Sequence, residues 1–399
     1  MIKSAFLILF QLSQRLAVRV LMIAALALLA LVIAVAFGHY IPDWMVDGLG
    51  TRSLDTILNM LAMSMLKVTT FSLSVMTGAI QFASSQTSPR SRFVLRMDTR
   101  THSVLANFVG AFLFSLIGII LRATPFMGEK ESVLLFLFTC VVVAMVVVSI
   151  VQWINHLESL GSVDATISEI ADVANTCMEQ FTARPALGGH AITREELERF
   201  PRNRAILAQS DGYVQQIFED ILRDQCEACD LDLYLAVRPG SFVCAGMPLA
   251  YLENGHELSE TARVLIRSGF KIDTTRSFEQ DPLLGVTTLT EVASRALSSG
   301  INDPQTAIDV VHRLTALLLR ADPAGRPAPI KSDNARIWMV PPTVEAFYCA
   351  SFDVIARDGA GLDEVQSSVR TALEQLERES GPVGRAAARA CAARLAQGS

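Results

Sequence analysis

Charge is scarce in this chain. Asp, Glu, Lys and Arg make up 19% of its 399 residues, against 51% hydrophobic residues, whereas ordinary soluble proteins carry roughly 25% charge. That balance excludes a disordered chain. With 23 glycines and 15 prolines, a collagen-like chain is excluded as well. Cysteines are few and scattered (Cys140, Cys177, Cys226, Cys229, Cys244, Cys349, Cys391), so no disulfide framework is expected. Catalytic signatures are missing too. There is no G-x-S-x-G, H-E-x-x-H, Walker loop or G-x-G-x-x-G, and the six histidines are dispersed. Nothing argues for an enzyme, and no cofactor or metal is expected. Cys226-Glu-Ala-Cys229 stands alone, without the second ligand pair a zinc site needs.

What is present is a concentrated apolar half. Residues 1–155 carry eleven Lys/Arg against six Asp/Glu, and residues 156–399 carry 23 against 34. The basic half is also the greasy half, so its basic residues flank hydrophobic spans. They do not form the clustered arm that nucleic acid would require, and nucleic acid is not an expected partner. Four stretches reach the roughly 20 residues needed to cross a bilayer: about 17–37, 57–80, 104–121 and 132–154. The first is too long for the h-region of a cleaved signal peptide and is read as an uncleaved span, despite the cleavage-like Ala34-Val35-Ala36 near its end. Residues 1–14 before it fit a short interfacial helix.

Basic residues orient the spans. Lys3, Arg15 and Arg19 precede the first span, and Arg90, Arg92, Arg96 and Arg100 crowd the loop between the second and third. The loop after the first span carries Asp43, Asp47 and Asp55 against Arg52. The expectation is a multi-pass protein of the bacterial inner membrane with both termini in the cytoplasm and membrane lipids as partners.

The remainder reads as an α+β region. A connecting helix and linker occupy 156–200, and short β-prone runs suggest a small β-barrel-like domain over 201–256. Capped helical stretches fill 257–399, a mainly helical domain. The GYV…VRPGSFVCAGMPL pattern is similar to the hairpins of biotinyl and lipoyl domains, but the modified lysine tip is missing.

Two longer segments carry a family resemblance. FSLSVMTGAIQFASSQTSPR (71–90), followed by Asn107-Phe108-Val109-Gly110-Ala111-Phe112, and RSFEQDPLLGVTTLTEVASRALSSGINDPQTAIDVVHRL (276–314) resemble the signatures of the bacterial membrane-protein family called domain of unknown function 2254. The resemblance implies a membrane protein with this architecture. It marks Arg276, Asp281, Asn302 and Asp303 as signature residues and implies no activity, cofactor or catalytic residue.

Within the second span, Asn59, Lys67, Thr70, Ser74, Thr77 and Gln81 fall within an arc of about 80° at 100° per residue. Polar groups facing lipid are costly, so this stripe faces protein or water. Two readings stand: a hydrated pathway with Lys67 as a fixed positive site, or polar packing between helices. Ser84, Ser85, Arg90 and Arg92, where this span ends, are candidates for a lipid or anion contact, against the ordinary basic flank of a span. Asp281, Asn302, Asp303 and Asp309, with Glu279 and Glu291, form an acidic cluster that reads as a metal site or, for Asp281, Asn302 and Asp303, as helix caps.

Two functions follow. One is a homo-oligomeric channel-like or transport pathway lined by the second span and gated or assembled by the cytoplasmic domain. The other is a membrane-anchored scaffold or sensor whose cytoplasmic domain binds a partner or small ligand.

Overall fold

The computed structural model describes residues 16–37, 53–90, 99–124, 128–157, 162–253, 258–322 and 334–398. The chain divides into two compact units. The first comprises Met1–Ala83 with Leu95–Ala165, and the second Ser84–Val94 with Thr166–Ser399.

The first unit is helical: α1 (Leu16–Phe37), α2 (Leu54–Gln86, whose last three residues fall in the second unit), α3 (Thr99–Arg122) and α4 (Glu129–Leu157). Three of them are long and apolar enough to cross a membrane among the described residues: α2, α3 over Ser103–Arg122, and α4. The fourth expected span coincides with α1 but stands outside that count, so three helices have the length and composition of a span. The proposed interfacial helix before α1 lies outside the described residues.

Apolar side chains at helical spacing hold this unit together. Leu54, Leu58, Leu61 and Met65 of α2 pack with Phe108, Phe114 and Leu121 of α3 and Leu135 and Val142 of α4. Gly110 of α3 has a packing role. A Cβ there would sit 2.7 Å from the Ile23 Cβ of α1, so glycine permits the close approach of these two helices. At one end of the bundle Arg122 donates to both Asp55 carboxylate oxygens (3.0 Å each) and to Ser132 Oγ (2.6 Å). The start of α2, the end of α3 and the start of α4 therefore meet there. Thr101 Oγ1 and His156 Nε2, 2.9 Å apart, join the opposite ends of α3 and α4. Midway, Asn107 donates to Ser149 Oγ (2.7 Å).

The connecting helix α5 spans Val163–Ala183. It is a separate element from α4, with Ser162 Oγ accepting from the Ala165 peptide (3.5 Å) at its start. The second unit then builds two sheets from β1 (His190–Ala191), β2 (Ala205–Leu207), β3 (Gly212–Ile217), β4 (Asp232–Leu235), β5 (Phe242–Val243), β6 (Pro248–Glu253), β7 (Phe270–Asp273) and β8 (Ile337–Met339). The five-stranded sheet runs β1-β8-β4-β6-β2 and the three-stranded sheet β5-β3-β7.

The expected β-barrel is not closed. β1 and β2 are the two ends of the larger sheet and do not pair with each other. The strand beside β4 is β8, drawn from beyond residue 256 and parallel to both β1 and β4. Closure requires edge to meet edge, and strands this short leave an open mixed sheet. Alternation along β4 sends Leu233 and Leu235 into the core with Ile337 and Met339 of β8. The opposite face carries an aromatic row, His190–Trp338–Tyr234–Phe200, with successive ring centres 4.3–5.1 Å apart.

Helices α6 (Arg194–Leu197), α7 (Glu219–Cys229) and α8 (Glu260–Ser268) flank the sheets, and α9 (Pro282–Ala296), α10 (Pro304–Ala321), α11 (Val344–Asp358), α12 (Asp363–Glu379) and α13 (Pro382–Gly398) form a bundle. α10 buries Ala307, Val310, Val311, Leu314, Leu317 and Leu318, one stripe at i, i+3, i+4 spacing. By contrast α9 is buried almost all round, as a central helix is. It contacts α10 and α11, and Thr290 Oγ1 donates to the Ala350 carbonyl of α11 (2.7 Å).

Candidate functional site

The polar stripe of α2 lies on its uncovered side. Asn59, Lys67, Thr70, Ser74, Thr77 and Gln81 are all exposed, whereas Leu54, Leu58, Leu61, Met65, Ser72 and Ala83 are buried. At about 100° per residue the two sets are centred on opposite sides of the helix. Several stripe donors bond back to their own helix: Asn59 Nδ2 to the Asp55 carbonyl (2.8 Å), Thr70 to Leu66 (2.9 Å), Ser74 to Thr70 (3.1 Å) and Thr77 to Leu73 (2.8 Å). Lys67 has no hydrogen bond or ion pair among the described residues.

Where α2 ends, the candidates part company. Thr87 and Ser88 are buried. Ser88 Oγ donates to Glu291 Oε2 of α9 (2.8 Å), and Arg90 forms an ion pair with the same carboxylate. Ser84 is half-buried and Ser85 exposed, while Arg92 lies outside the described residues. The two signature segments therefore meet through Ser88, Arg90 and Glu291. Glu291 lies inside the second signature and belongs to the expected acidic cluster; its partners are instead Ser88 and Arg90.

The four signature residues have separate structural roles. Arg276 grips Asp281 Oδ2 through Nε (2.7 Å) and Nη2 (2.6 Å), a pair in which Asp281 is only 2% exposed. Burial raises the Asp281 pKa, opposed by the Arg276 charge. Asn302 takes the left-handed conformation, φ 52°, which asparagine tolerates better than most residues. Asp303 caps α10, accepting from the Thr306 peptide (3.1 Å) and hydroxyl (2.6 Å). No group of three or more His, Cys, Asp or Glu side chains poised for a metal occurs among the described residues.

A cavity of about 300 Å³ opens in the second unit between α5, the turn after it, and the start of α9. Phe181, Leu187, Pro282, Met339 and Pro342 supply apolar walls, and Arg238, Arg184 and Glu219 bring charge. Ala186 (φ 53°), Leu187 (φ 57°) and Gly188 (φ 74°) form one wall as three successive left-handed residues. That conformation costs roughly 1–2 kcal/mol for a residue with a Cβ. Buried Asn334 holds it, donating from Nδ2 to the Leu187 carbonyl (2.7 Å) and from its peptide to the Gly188 carbonyl (3.2 Å).

The charges around this cavity are unequal. Arg184 is ion-paired with Glu219, and Asp281 is held by Arg276. Arg238, half-buried in the turn after β4, has no hydrogen-bonded carboxylate among the described residues. Burial lowers its pKa, with Asp281 opposing and Arg276 and Arg194 adding to the effect. Burial likewise raises the Glu219 pKa against the pull of Arg184, and pushes the Cys177 thiol up to about 12. The turn is built to pass over Asp281. Gly240 has φ 87°, and a Cβ there would collide with the Asp281 carboxylate. The turn at 238–241 and the linker before residue 200 are far apart in sequence, and nothing in either signals that both border one chamber.

The Cys226-x-x-Cys229 pair lies on α7 with Cys226 in the core, and all described cysteines are free. Burial raises the Cys226 pKa to about 12.

Comparison with known proteins agrees with the architecture. Uncharacterized proteins of Mycobacterium bovis and of two strains of Mycobacterium tuberculosis are each 26% identical over 325 residues, covering 77% of this chain and 59% of theirs. The chain thus spans about three-fifths of the length of the curated relatives it matches. No solved structure matches it. The family described as predicted membrane protein (DUF2254) matches residues 13–375. With its apolar helices and both signature segments inside that match, the chain belongs to this membrane-protein family.

Proposed function

We propose that the protein acts as a homo-oligomer in the bacterial inner membrane, with α1 as a fourth span and both termini cytoplasmic, and that its α2 helices line a hydrated path for small ions. The observation that carries this reading is the exposure of Lys67 on the side of α2 opposite its packed face. Hydrocarbon does not tolerate such a stripe. Facing copies of α2 around a common axis would give it water and protein instead. A ring of Lys67 ammonium groups favours anions. The test is flux from liposomes containing the purified protein. Lys67→Met should abolish or invert the preference for chloride over potassium while the oligomer persists by cross-linking. Identical flux and selectivity in the two proteins would remove the reading's support.

A second reading, a membrane-anchored sensor that binds a small ligand, draws on a different observation: the partly charged cavity of the second unit, with its strained wall. A functional site is where such strain is commonly stored.

A further inference from the structure

Arg184, Arg238, Glu219 and Glu279 line the cavity of the second unit, with the Arg276–Asp281 pair beside it. Glu219 pairs with Arg184 and Asp281 with Arg276. Arg238 has no ion-pair partner among the described residues and is set in a wall whose neighbours are Phe181, Leu187, Pro282 and Met339. Glu279 stands exposed at the rim. A guanidinium offers a planar fork of donors that suits carboxylate and phosphate oxygens. A chamber of about 300 Å³ is at the small end for ligand sites, and such sites typically combine apolar walls with few polar anchors. The left-handed turn at 186–188, fixed by Asn334, keeps Leu187 in the wall before any guest arrives.

We propose that this cavity binds a small amphipathic anion, with its carboxylate or phosphate on Arg238 and its short aliphatic or aromatic body between Phe181, Leu187 and Met339. The assignment rests on the sensor reading and is independent of the pathway along α2. Burial supports it from a second side. The same low-dielectric surroundings that raise the Glu219 and Asp281 pKa values strengthen an ion pair formed with Arg238.

The experiment is calorimetric titration of the full-length protein in nanodiscs with hexanoate, hexyl phosphate, hexanol, hexylamine and inorganic phosphate. Hexanoate or hexyl phosphate should bind saturably at one site per chain. Arg238→Gln should weaken that binding about 10- to 100-fold, the range expected for losing a charge-assisted bond, and Arg238→Lys should restore part of it. Ala183→Trp, which fills the mouth and leaves Arg238 in place, should block binding. Lys67→Met should bind as the wild type does. Equal binding of hexanol, or undiminished binding by Arg238→Gln, would overturn the anion assignment, as would inorganic phosphate binding as tightly as hexyl phosphate. Saturable binding of hexylamine alone would also overturn it while leaving a ligand-binding sensor standing. Binding by none of the five would count against both.

Discussion

Ser88 Oγ and Glu291 Oε2 lie 2.8 Å apart and join segments 203 residues distant in sequence. Ser88 is buried and its hydroxyl donates to that acceptor, while the Arg90–Glu291 pair is partly open to solvent. The two interactions are therefore expected to differ in weight. Glu291→Gln keeps an acceptor for Ser88 and should cost under about 1 kcal/mol. Glu291→Ala removes the carboxylate that accepts from the buried hydroxyl and pairs with Arg90, and should cost about 1–3 kcal/mol. Urea unfolding of the purified protein followed by tryptophan fluorescence would rank the two, and equal losses would contradict the assignment.

Asn334 clamps the left-handed turn at Leu187 and Gly188 by two hydrogen bonds. Asn334→Ala removes the side-chain bond and leaves the turn with its backbone strain. A stability loss of about 1–3 kcal/mol is expected, together with faster hydrogen exchange confined to peptides covering 184–191. Protection unchanged in those peptides would show that the turn is held by other contacts.

Gly110 lets α1 and α3 approach. Gly110→Leu drives a side chain into Ile23 and should cost about 1–3 kcal/mol or more, read as a lower melting temperature in detergent. Gly78, whose Cβ position faces open space, provides the control: Gly78→Ala should be neutral or slightly stabilising.

Alkaline pH should weaken the second unit. Burial lifts the thiols of Cys177, Cys226 and Cys391 from an ordinary value of 9.0 to about 12. In the unfolded chain these thiols lose their protons first, so the stability they contribute is fully present below pH 9 and lost as pH rises towards 12. The fall is on the order of a few kcal/mol per thiol. Cys226→Ala should flatten the part of the curve that Cys226 contributes, measured as urea midpoints from pH 8 to 11.

Thiol labelling offers a quick check on the same burial. Cys244 is exposed and Cys177, Cys226 and Cys391 are buried. A membrane-impermeant maleimide should modify Cys244 of the purified protein within minutes and reach the three buried thiols only after denaturation. Early modification of Cys226 would place α7 differently.

Much of this was readable from the chain itself. Hydropathy locates α2, α3 and α4 because a membrane helix must satisfy its own backbone and expose apolar side chains. Asp303-Pro304 announces the start of α10 because capping is a local event. Gly269 ends α8 with φ −68°, and its lack of a side chain serves the close approach of Leu222. The barrel expectation failed because strand partners are not local. β8 joins β1 and β4 only after several helices have intervened, and no spacing rule carries that information. The cavity was hidden for the same reason. Phe181, Arg238 and Met339 come from three distant segments, and Arg238 is notable only for the ion pair it lacks.

Gly285 of α9 lies one turn beyond Pro282, and a Cβ there would press on Ala174 of α5, one turn before Cys177. The backbones of these two helices are thus already as near as atoms allow, beside the chamber that Cys177 and Pro282 border. That side of the chamber has no slack to close around a shorter guest. If the cavity holds the proposed anion, that wall sets a fixed width which a guest must match, since it cannot draw inward.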